Sequence, residues 1–211
     1  AQVSGQFTIA GDGQNTIVVA QGANALLSAE DIDRAAELFV PGSILLAQLE
    51  VPLESIIHAV EMAKSRGVTV LLNPAPARPL DRSLLRMVDF LLPNQHELAL
   101  LTGETDVYAG IAALRAMGVR NVLVTLGGDG ALLVSETTRI AAPAYQVTPV
   151  DTTAAGDAFV GAFGAGLAAG KTLAEAVRRG NAAGALAVTR TGAQPSLPTR
   201  AEVENLLQEQ E

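Results

Sequence analysis

The chain has 211 residues, no cysteine and a formal net charge of −8, so disulfides, thiolate catalysis and cysteine-based metal sites are excluded. The acidic balance argues against general nucleic-acid binding, which needs a basic face. Hydrophobic residues make up 49% and charged residues 17%, as is typical of a globular protein. The length predicts one main domain. No apolar run approaches the roughly 20 residues of a membrane span, and no secretory signal is visible.

Two runs rich in β-forming residues, 3–10 and 15–20, flank the turn sequence Gly11-Asp12-Gly13-Gln14 and predict a hairpin. Apolar and polar residues partly alternate in the first run, which suggests a small sheet that covers another surface. A purely structural hairpin fits the pattern equally well. We therefore predict a hairpin unit over residues 1–22 and an α/β domain over residues 23–211.

From Ser28 onward, helical and strand patterns alternate at short spacing. Ser28 and Asp31 have the spacing of a capping box, and Pro52 is expected at the first position of a helix that ends at Gly67. Predicted strands cover residues 43–49, 68–72, 90–92, 121–126 and 131–135; predicted helices begin near residues 28, 52, 94, 106, 157, 172 and 199. Several strands are apolar on both faces, which predicts a mainly parallel sheet between two helical layers, a three-layer αβα sandwich.

Ligands of such sheets bind beyond the carboxyl ends of the strands. Candidate polar or glycine-containing positions directly follow predicted strands there: Glu50, Asn73, Asn94, Gly127 and Asp151. The placement predicts a single binding edge.

The segment 150–159, VDTTAAGDAF, joins an extended segment to a helix of small residues. Ala154, Ala155 and Gly156 leave their backbone N–H groups uncovered at the helix start, which favours an anion hole. Asp157 follows in the first turn. Either it only complements the helix dipole, or it takes a proton from an attacking hydroxyl while the N–H groups hold a phosphoryl group.

Asn94 and Glu97 again have capping-box spacing, so a structural role competes with a role at Mg²⁺. The glycine-rich segment 125–130 lacks the Walker pattern, and such a segment is usually a turn. His58 and His96 have no ligand partner at metal spacing, so we interpret them as surface or capping residues.

Six further motifs accompany DTTAAGDAF, in this order along nearly the whole chain: QGANALLS, QLEVPLES, LNPAPAR, LLPNQHE, VTLGGDGA and VTRTGAQPS. Together they resemble the ribokinase-like (PfkB) carbohydrate kinases. The resemblance implies the ribokinase-like three-layer fold. It also implies transfer of the γ-phosphoryl group of ATP to a primary hydroxyl of a sugar, with D-ribose as the favoured acceptor. Kinases of fructose-type sugars, ketodeoxy sugar acids or nucleosides are alternatives, as is a nucleotide-binding chain without catalysis.

The resemblance also implies roles for individual residues. Asp157 is the general base and, with Glu50, a sugar contact, while Glu97 holds Mg²⁺ through water. The nucleotide contacts are Asn94, Thr125, Leu126, Gly127, Gly128, Asp129, Gly130, Gly156 and Asn181. Two loops wrap a monovalent cation, normally K⁺, mostly through backbone carbonyls: Asp151, Thr153, Ala187, Arg190, Gly192 and Ser196.

The family's N-terminal third, with early sugar contacts and a Gly-Gly-x-Gly-x-Asn loop, has no counterpart from Ala1 onward. We therefore expect exposed sheet edges and a chain that binds ATP but does not necessarily turn it over. In the family, the hairpin would belong to a lid over the sugar. The resemblance implies a cytoplasmic enzyme that forms a homodimer through this lid, without nucleic-acid or membrane partners.

Overall fold

The computed structural model describes residues 5–11, 14–20 and 22–209, with side chains from residue 22 onward. In this part of the chain, six strands form the main sheet and two form a separate hairpin. The strands are β1 (Gly5–Gly11), β2 (Gln14–Ala20), β3 (Ile44–Ala47), β4 (Thr69–Leu72), β5 (Phe90–Leu91), β6 (Asn121–Thr125), β7 (Ala131–Val134) and β8 (Arg139–Ala142).

The main sheet has the order β3-β4-β5-β6-β7-β8. The pairs from β3 to β6 are parallel, and β7 and β8 add antiparallel strands at one side. The predicted mainly parallel α/β fold is therefore confirmed. Sequence patterns did not identify β8, a four-residue edge strand that is mostly not buried.

Eight α-helices lie in the described residues: α1 (Ala29–Arg34), α2 (Leu53–Ser65), α3 (Arg82–Met87), α4 (Gln95–Thr102), α5 (Val107–Met117), α6 (Ala155–Ala168), α7 (Leu173–Ala187) and α8 (Arg200–Glu209). The helix α3 was not predicted. The predicted helix from Ser28 ends early, at Arg34, because Ala35 leaves the α-helical backbone conformation (φ −93°, ψ +9°) and the chain continues as a short 3₁₀ helix, Ala36–Leu38. Pro52 takes the N-cap position of α2 instead of its first helical position.

Alternate strand residues point to opposite faces of the sheet, and both faces are apolar. Val70 and Leu72 of β4 belong to a cluster with α2, α3, α4 and α5, whereas Leu71 between them packs on the other side with α6 and α7. Leu123 of β6 likewise faces α6 and α7 while its two neighbours face the first cluster. Helices therefore cover both faces, which confirms the three-layer arrangement.

The helices α6 and α7 pack closely because their contact face is built from very small residues. A Cβ atom added at Gly166 would lie 3.2 Å from Cα of Ala176, so the two backbones approach at that point.

The strands β1 and β2 pair in antiparallel register from Gly5–Ala20 to Gly11–Gln14, as the predicted hairpin requires. Residues 3, 4, 12 and 13 and the orientation of the hairpin side chains lie outside the described residues. The division between residues 22 and 23 stays a prediction.

Candidate active site

The carboxyl ends of β3 to β6 bring polar groups to one edge of the sheet. The N–H of Asn73 donates to Ala47 O at 2.9 Å, and its Nδ2 donates to Leu92 O at 2.7 Å. One strand further along, Asn94 forms a bridge with Thr125. The sheet edge predicted from the sequence is therefore a real structural feature.

The start of α6 has an unusual backbone at this edge. Ala154 has φ +59° and ψ +9°, and it alone among the described non-glycine residues has a positive φ. This left-handed conformation is costly for alanine and concentrates at functional sites. It turns the chain so that Gly156 opens to solvent, since a Cβ atom added there would meet no heavy atom within 4 Å.

Backbone N–H groups of the first turn of α6 have no intrahelical acceptor and lie at the positive end of the helix dipole. The N–H of Ala155 already donates to Thr152 O, over a long 3.3 Å. The backbone N–H groups of Gly156 and Asp157 follow in the same turn. This turn fits an anion such as a phosphate.

A cleft of about 570 Å³ opens beside this helix start. Eight of the predicted residues line it: Asn94, Thr125, Gly127, Gly128, Gly130, Ala155, Gly156 and Asn181. Leu126, Asp129, Ala154, Glu50 and Asp157 are not among its lining residues. The first three are chain neighbours of lining residues, and Asp157 follows Gly156 directly.

Sequence reasoning missed one whole wall of this cleft. The segment from Ala144 to Val147 and Pro149 lines it, as do Gly184 and Val188 at the end of α7. The spacing of Gly180 and Gly184, one turn apart, was a signal of a close approach on this face of α7. The irregular segment before residue 150 carries no comparable signal.

Gly130 and Asn181 hold this wall in place. A Cβ atom at Gly130 would lie 2.1 Å from Ala142 O, so only glycine fits there. From the other side, Nδ2 of the buried Asn181 donates to Ala142 O at 2.9 Å and to Pro143 O at 3.0 Å. The side-chain amide of Asn181 therefore binds the two carbonyls that directly precede the wall.

Asn94 and Glu97 form the predicted capping box of α4. The N–H of Glu97 donates to Asn94 Oδ1, and the N–H of Asn94 donates to Glu97 Oε2, each at 2.8 Å. Burial raises the pKa of Glu97, the Asn94 N–H and nearby His96 lower it, and the negative charge of Asp157 raises it again. Glu97 and Asp157 are thus close enough to sense each other's charge.

The oxygen ligands at this edge fit a hard cation such as Mg²⁺. Among the residues that the structure describes, no group of three His, Cys, Asp or Glu side chains could hold a metal ion.

Asp151 joins two loops that sequence reasoning linked to a monovalent cation. Its Oδ1 accepts from Thr153 N at 2.9 Å and Thr153 Oγ1 at 2.6 Å, and its Oδ2 accepts from Gly192 N at 2.9 Å. These three hydrogen bonds hold the pKa of Asp151 below its usual range, and the one from the Thr153 hydroxyl has the largest effect. The carbonyl of Ala187 accepts from Arg190 N at 3.2 Å, and buried Ser196 donates to Ala193 O at 2.7 Å.

The loops therefore meet, and their carboxylate, hydroxyl and carbonyl oxygens fit a hard cation.

Glu50, His58 and His96 are not among the residues that line the cleft. Glu50 is partly buried after β3, and its N–H donates to Gln48 Oε1. Nε2 of His58 lies 2.7 Å from Asp33 Oδ1 at the surface, and His96 is exposed, consistent with structural positions for both histidines.

The profile of the pfkB family carbohydrate kinases matches residues 4–200. The chain belongs to this family. The predicted family resemblance is confirmed. Among its curated relatives, the pfkB chain is 40% identical over 203 residues to a ribokinase of Staphylococcus aureus, covering 93% of this chain and 67% of the relative. It is 43% identical over 191 residues to a deoxyribokinase of Salmonella typhi, covering 88% and 62%.

Solved structures agree with the fold of this pfkB protein. The ribokinase of Thermotoga maritima superposes with a TM-score of 0.86 at 38% identity, covering 97% of this chain and 69% of that one. The ribokinase of Arabidopsis thaliana, solved with ribose and ATP, gives a TM-score of 0.83 at 35% identity, covering 93% and 66%. The chain thus spans about two thirds of the length of these relatives. None of its described helices is long and apolar enough to cross a membrane.

Proposed function

We propose that this pfkB protein transfers the γ-phosphoryl group of ATP to the primary hydroxyl of a sugar. The favoured acceptor is D-ribose, and the products are then D-ribose 5-phosphate and ADP. The observation that carries the proposal is the junction of Gly156 and Asp157. One residue opens the phosphate-binding turn into the cleft, and the next carries a carboxylate within reach of the same turn. Ribokinases and a ribokinase structure with ribose and ATP support the substrates.

In the proposed reaction, the sugar hydroxyl oxygen attacks the γ-phosphorus while the bond to the β–γ bridging oxygen breaks and ADP leaves. The proton of the hydroxyl goes to the carboxylate of Asp157. The N–H groups at the start of α6 stabilise charge on the transferring group, so catalysis is mainly positioning and electrostatics. Ala154, Ala155 and Gly156 form this anion hole.

The remaining predicted roles are parts of the same proposal. Asn94, Asn181 and the turn 125–130 bind the nucleotide, and Glu50 contacts the sugar. Glu97 would hold Mg²⁺ through water, and a bound ion would supply positive charge at the β- and γ-phosphates. The Arabidopsis ribokinase structure with ribose and ATP supports the nucleotide. Asp151, Thr153, Ala187, Arg190, Gly192 and Ser196 surround K⁺.

A second sugar is favoured by one observation. The Salmonella relative at 43% identity is a deoxyribokinase, and the two sugars differ only at the 2-position. The test is ADP release by the purified chain with Mg²⁺ and K⁺, across D-ribose, 2-deoxy-D-ribose, fructose, ketodeoxygluconate and adenosine. ADP release that depends on ribose would support the proposal. A higher kcat/KM for 2-deoxy-D-ribose would show that deoxyribose is the preferred acceptor instead. ATP binding in calorimetry with no turnover on any acceptor would reduce the chain to a nucleotide-binding module.

Potassium, assembly and location need their own measurements. Activity that is unchanged when K⁺ is replaced by tetramethylammonium would overturn the cation site. We also propose that the hairpin within residues 1–22 forms a homodimer contact, since β1 and β2 make a sheet apart from the main one. Sedimentation of the chain with and without these residues tests the dimer, and cell fractionation tests the proposed cytoplasmic location.

A further inference from the structure

Glu202, near the start of α8, ties together both ends of the loop that faces Asp151. Nη2 of Arg190 donates to Glu202 Oε1. The N–H of Thr199 donates to Glu202 Oε2 at 2.7 Å, and the Thr199 hydroxyl donates to the same oxygen at 2.8 Å. One carboxylate therefore fixes the segment 190–199 at its first and last residues.

The middle of that loop connects to the start of α6. Gly192, two residues after Arg190, donates its N–H to Asp151 Oδ2 at 2.9 Å, and the other oxygen of Asp151 holds Thr153. Thr153 directly precedes Ala154, whose left-handed backbone sets the phosphate-binding turn. Three hydrogen-bonded contacts, joined by the short backbone steps from Arg190 to Gly192 and from Thr153 to Ala154, thus connect α8 with the start of α6.

From this connection we infer that Glu202 is a positioning residue for phosphoryl transfer. It contacts neither the cleft nor Asp157; it acts by holding Arg190, and with it Gly192, where the loop meets Asp151. The inference rests on the proposed kinase function of this site. Arg190 then has two roles. Its side chain binds Glu202, and its backbone carbonyl would face the proposed cation.

Glu204, two residues further along α8, offers a matched control. Its carboxylate pairs with Arg179 of α7 and lies 3.6 Å from Arg200 Nε, so it also joins α8 to a neighbouring helix by an ion pair. It has no hydrogen bond to the segment 190–199 among those the structure describes. Glu202→Gln and Glu204→Gln therefore remove similar charges, and only the first loosens the loop.

The first measurement is hydrogen–deuterium exchange of the unliganded full chain. In Glu202→Gln, exchange in peptides covering 189–196 and 151–156 should be faster than in wild type by about tenfold or more, while Glu204→Gln should match wild type there. Stabilisation by K⁺, measured as the melting-temperature difference between KCl and tetramethylammonium chloride, should shrink in Glu202→Gln alone. Equal exchange in the two variants would overturn the inference.

The second measurement is steady-state kinetics at saturating sugar. Because a misplacement of about 1 Å can lower a rate by about 10²-fold, Glu202→Gln should lower kcat by roughly 10- to 100-fold with less than about a threefold change in the KM for ATP. A kcat equal to that of Glu204→Gln would also overturn it. If every acceptor fails with wild type, the proposed function falls, and the exchange comparison still decides the role of Glu202.

Arg190→Lys is the second variant if Glu202→Gln does not fold. Lysine keeps the positive charge but loses the planar guanidinium that meets the carboxylate. The exchange of 189–196 and 151–156 should then again exceed that of Glu204→Gln, and equal exchange would contradict the inference.

Discussion

Gly180 of α7 lies against the ring of Phe159 of α6. A Cβ atom added at Gly180 would approach Cε2 of that ring to 2.9 Å and two further ring atoms to 3.0 Å. Phe159 is buried, so its ring has little room to move. The contact explains why α7, which packs against α6 and the sheet, has a glycine at position 180 in its interior.

We expect Gly180→Ala to be less stable than Gly161→Ala by about 1–3 kcal/mol, the usual cost of overpacking a core. Gly161 is also inside a helix, but its added Cβ meets no heavy atom within 4 Å, so alanine there should gain up to about 1 kcal/mol from helix propensity. Urea unfolding of the two variants measures the difference. Equal free energies of unfolding would show that the Phe159 ring moves freely.

Asp157→Asn should lower kcat by about 10² to 10⁴, because the amide cannot take the proton of the sugar hydroxyl. Its affinity for ATP should change little, since Asp157 does not line the cleft. Steady-state kinetics and calorimetry with ATP separate the two effects. Asp106→Asn is the control, because Asp106 caps α5 and asparagine caps equally well. Unchanged kcat in Asp157→Asn would eliminate it as the base.

Asn181→Ala should weaken ATP binding and destabilise the fold. It removes both hydrogen bonds to Ala142 O and Pro143 O, just before the cleft wall at Ala144, at a cost of about 1–3 kcal/mol. Asn121→Ala is the matched control, because Nδ2 of Asn121 also donates to a backbone carbonyl, Asp89 O at 2.7 Å, at the start of β6.

Both variants should unfold at lower urea concentration, and only Asn181→Ala should bind ATP more weakly in calorimetry. Equal ATP affinity in the two variants would show that the wall does not depend on Asn181.

The acid stability of the fold should depend on Glu202. The hydrogen bond from Arg190, followed by those from Thr199, lowers the pKa of Glu202 from 4.5 to about 2. A depressed pKa stabilises the folded state fully above pH 4.5, and this contribution is lost as the pH falls toward 2. The difference in melting temperature between wild type and Glu202→Gln should therefore be constant above about pH 5 and shrink between pH 4.5 and 2. A constant difference down to pH 2 would contradict the depressed pKa.

Features that depend on neighbours within four residues could be predicted from the sequence. The capping boxes Ser28–Asp31 and Asn94–Glu97 are present, and Gly103 and Gly118 end helices with a positive φ. The apolar strands predicted the two-sided sheet, and the sheet predicted the edge where the candidate site lies. These signals are local because a cap or a helix stop is decided by one turn of backbone.

Only the tertiary structure shows which residues remote in sequence come together at that edge to form the candidate site. Asp151 meets Gly192, Asn181 meets Ala142, and Arg190 meets Glu202 across 12 to 41 residues of chain. The wall of the cleft at Ala144 and the edge strand β8 have no periodic pattern of their own. Their positions follow from contacts between helices and strands remote in sequence, where burial and hydrogen bonding outweigh local propensity.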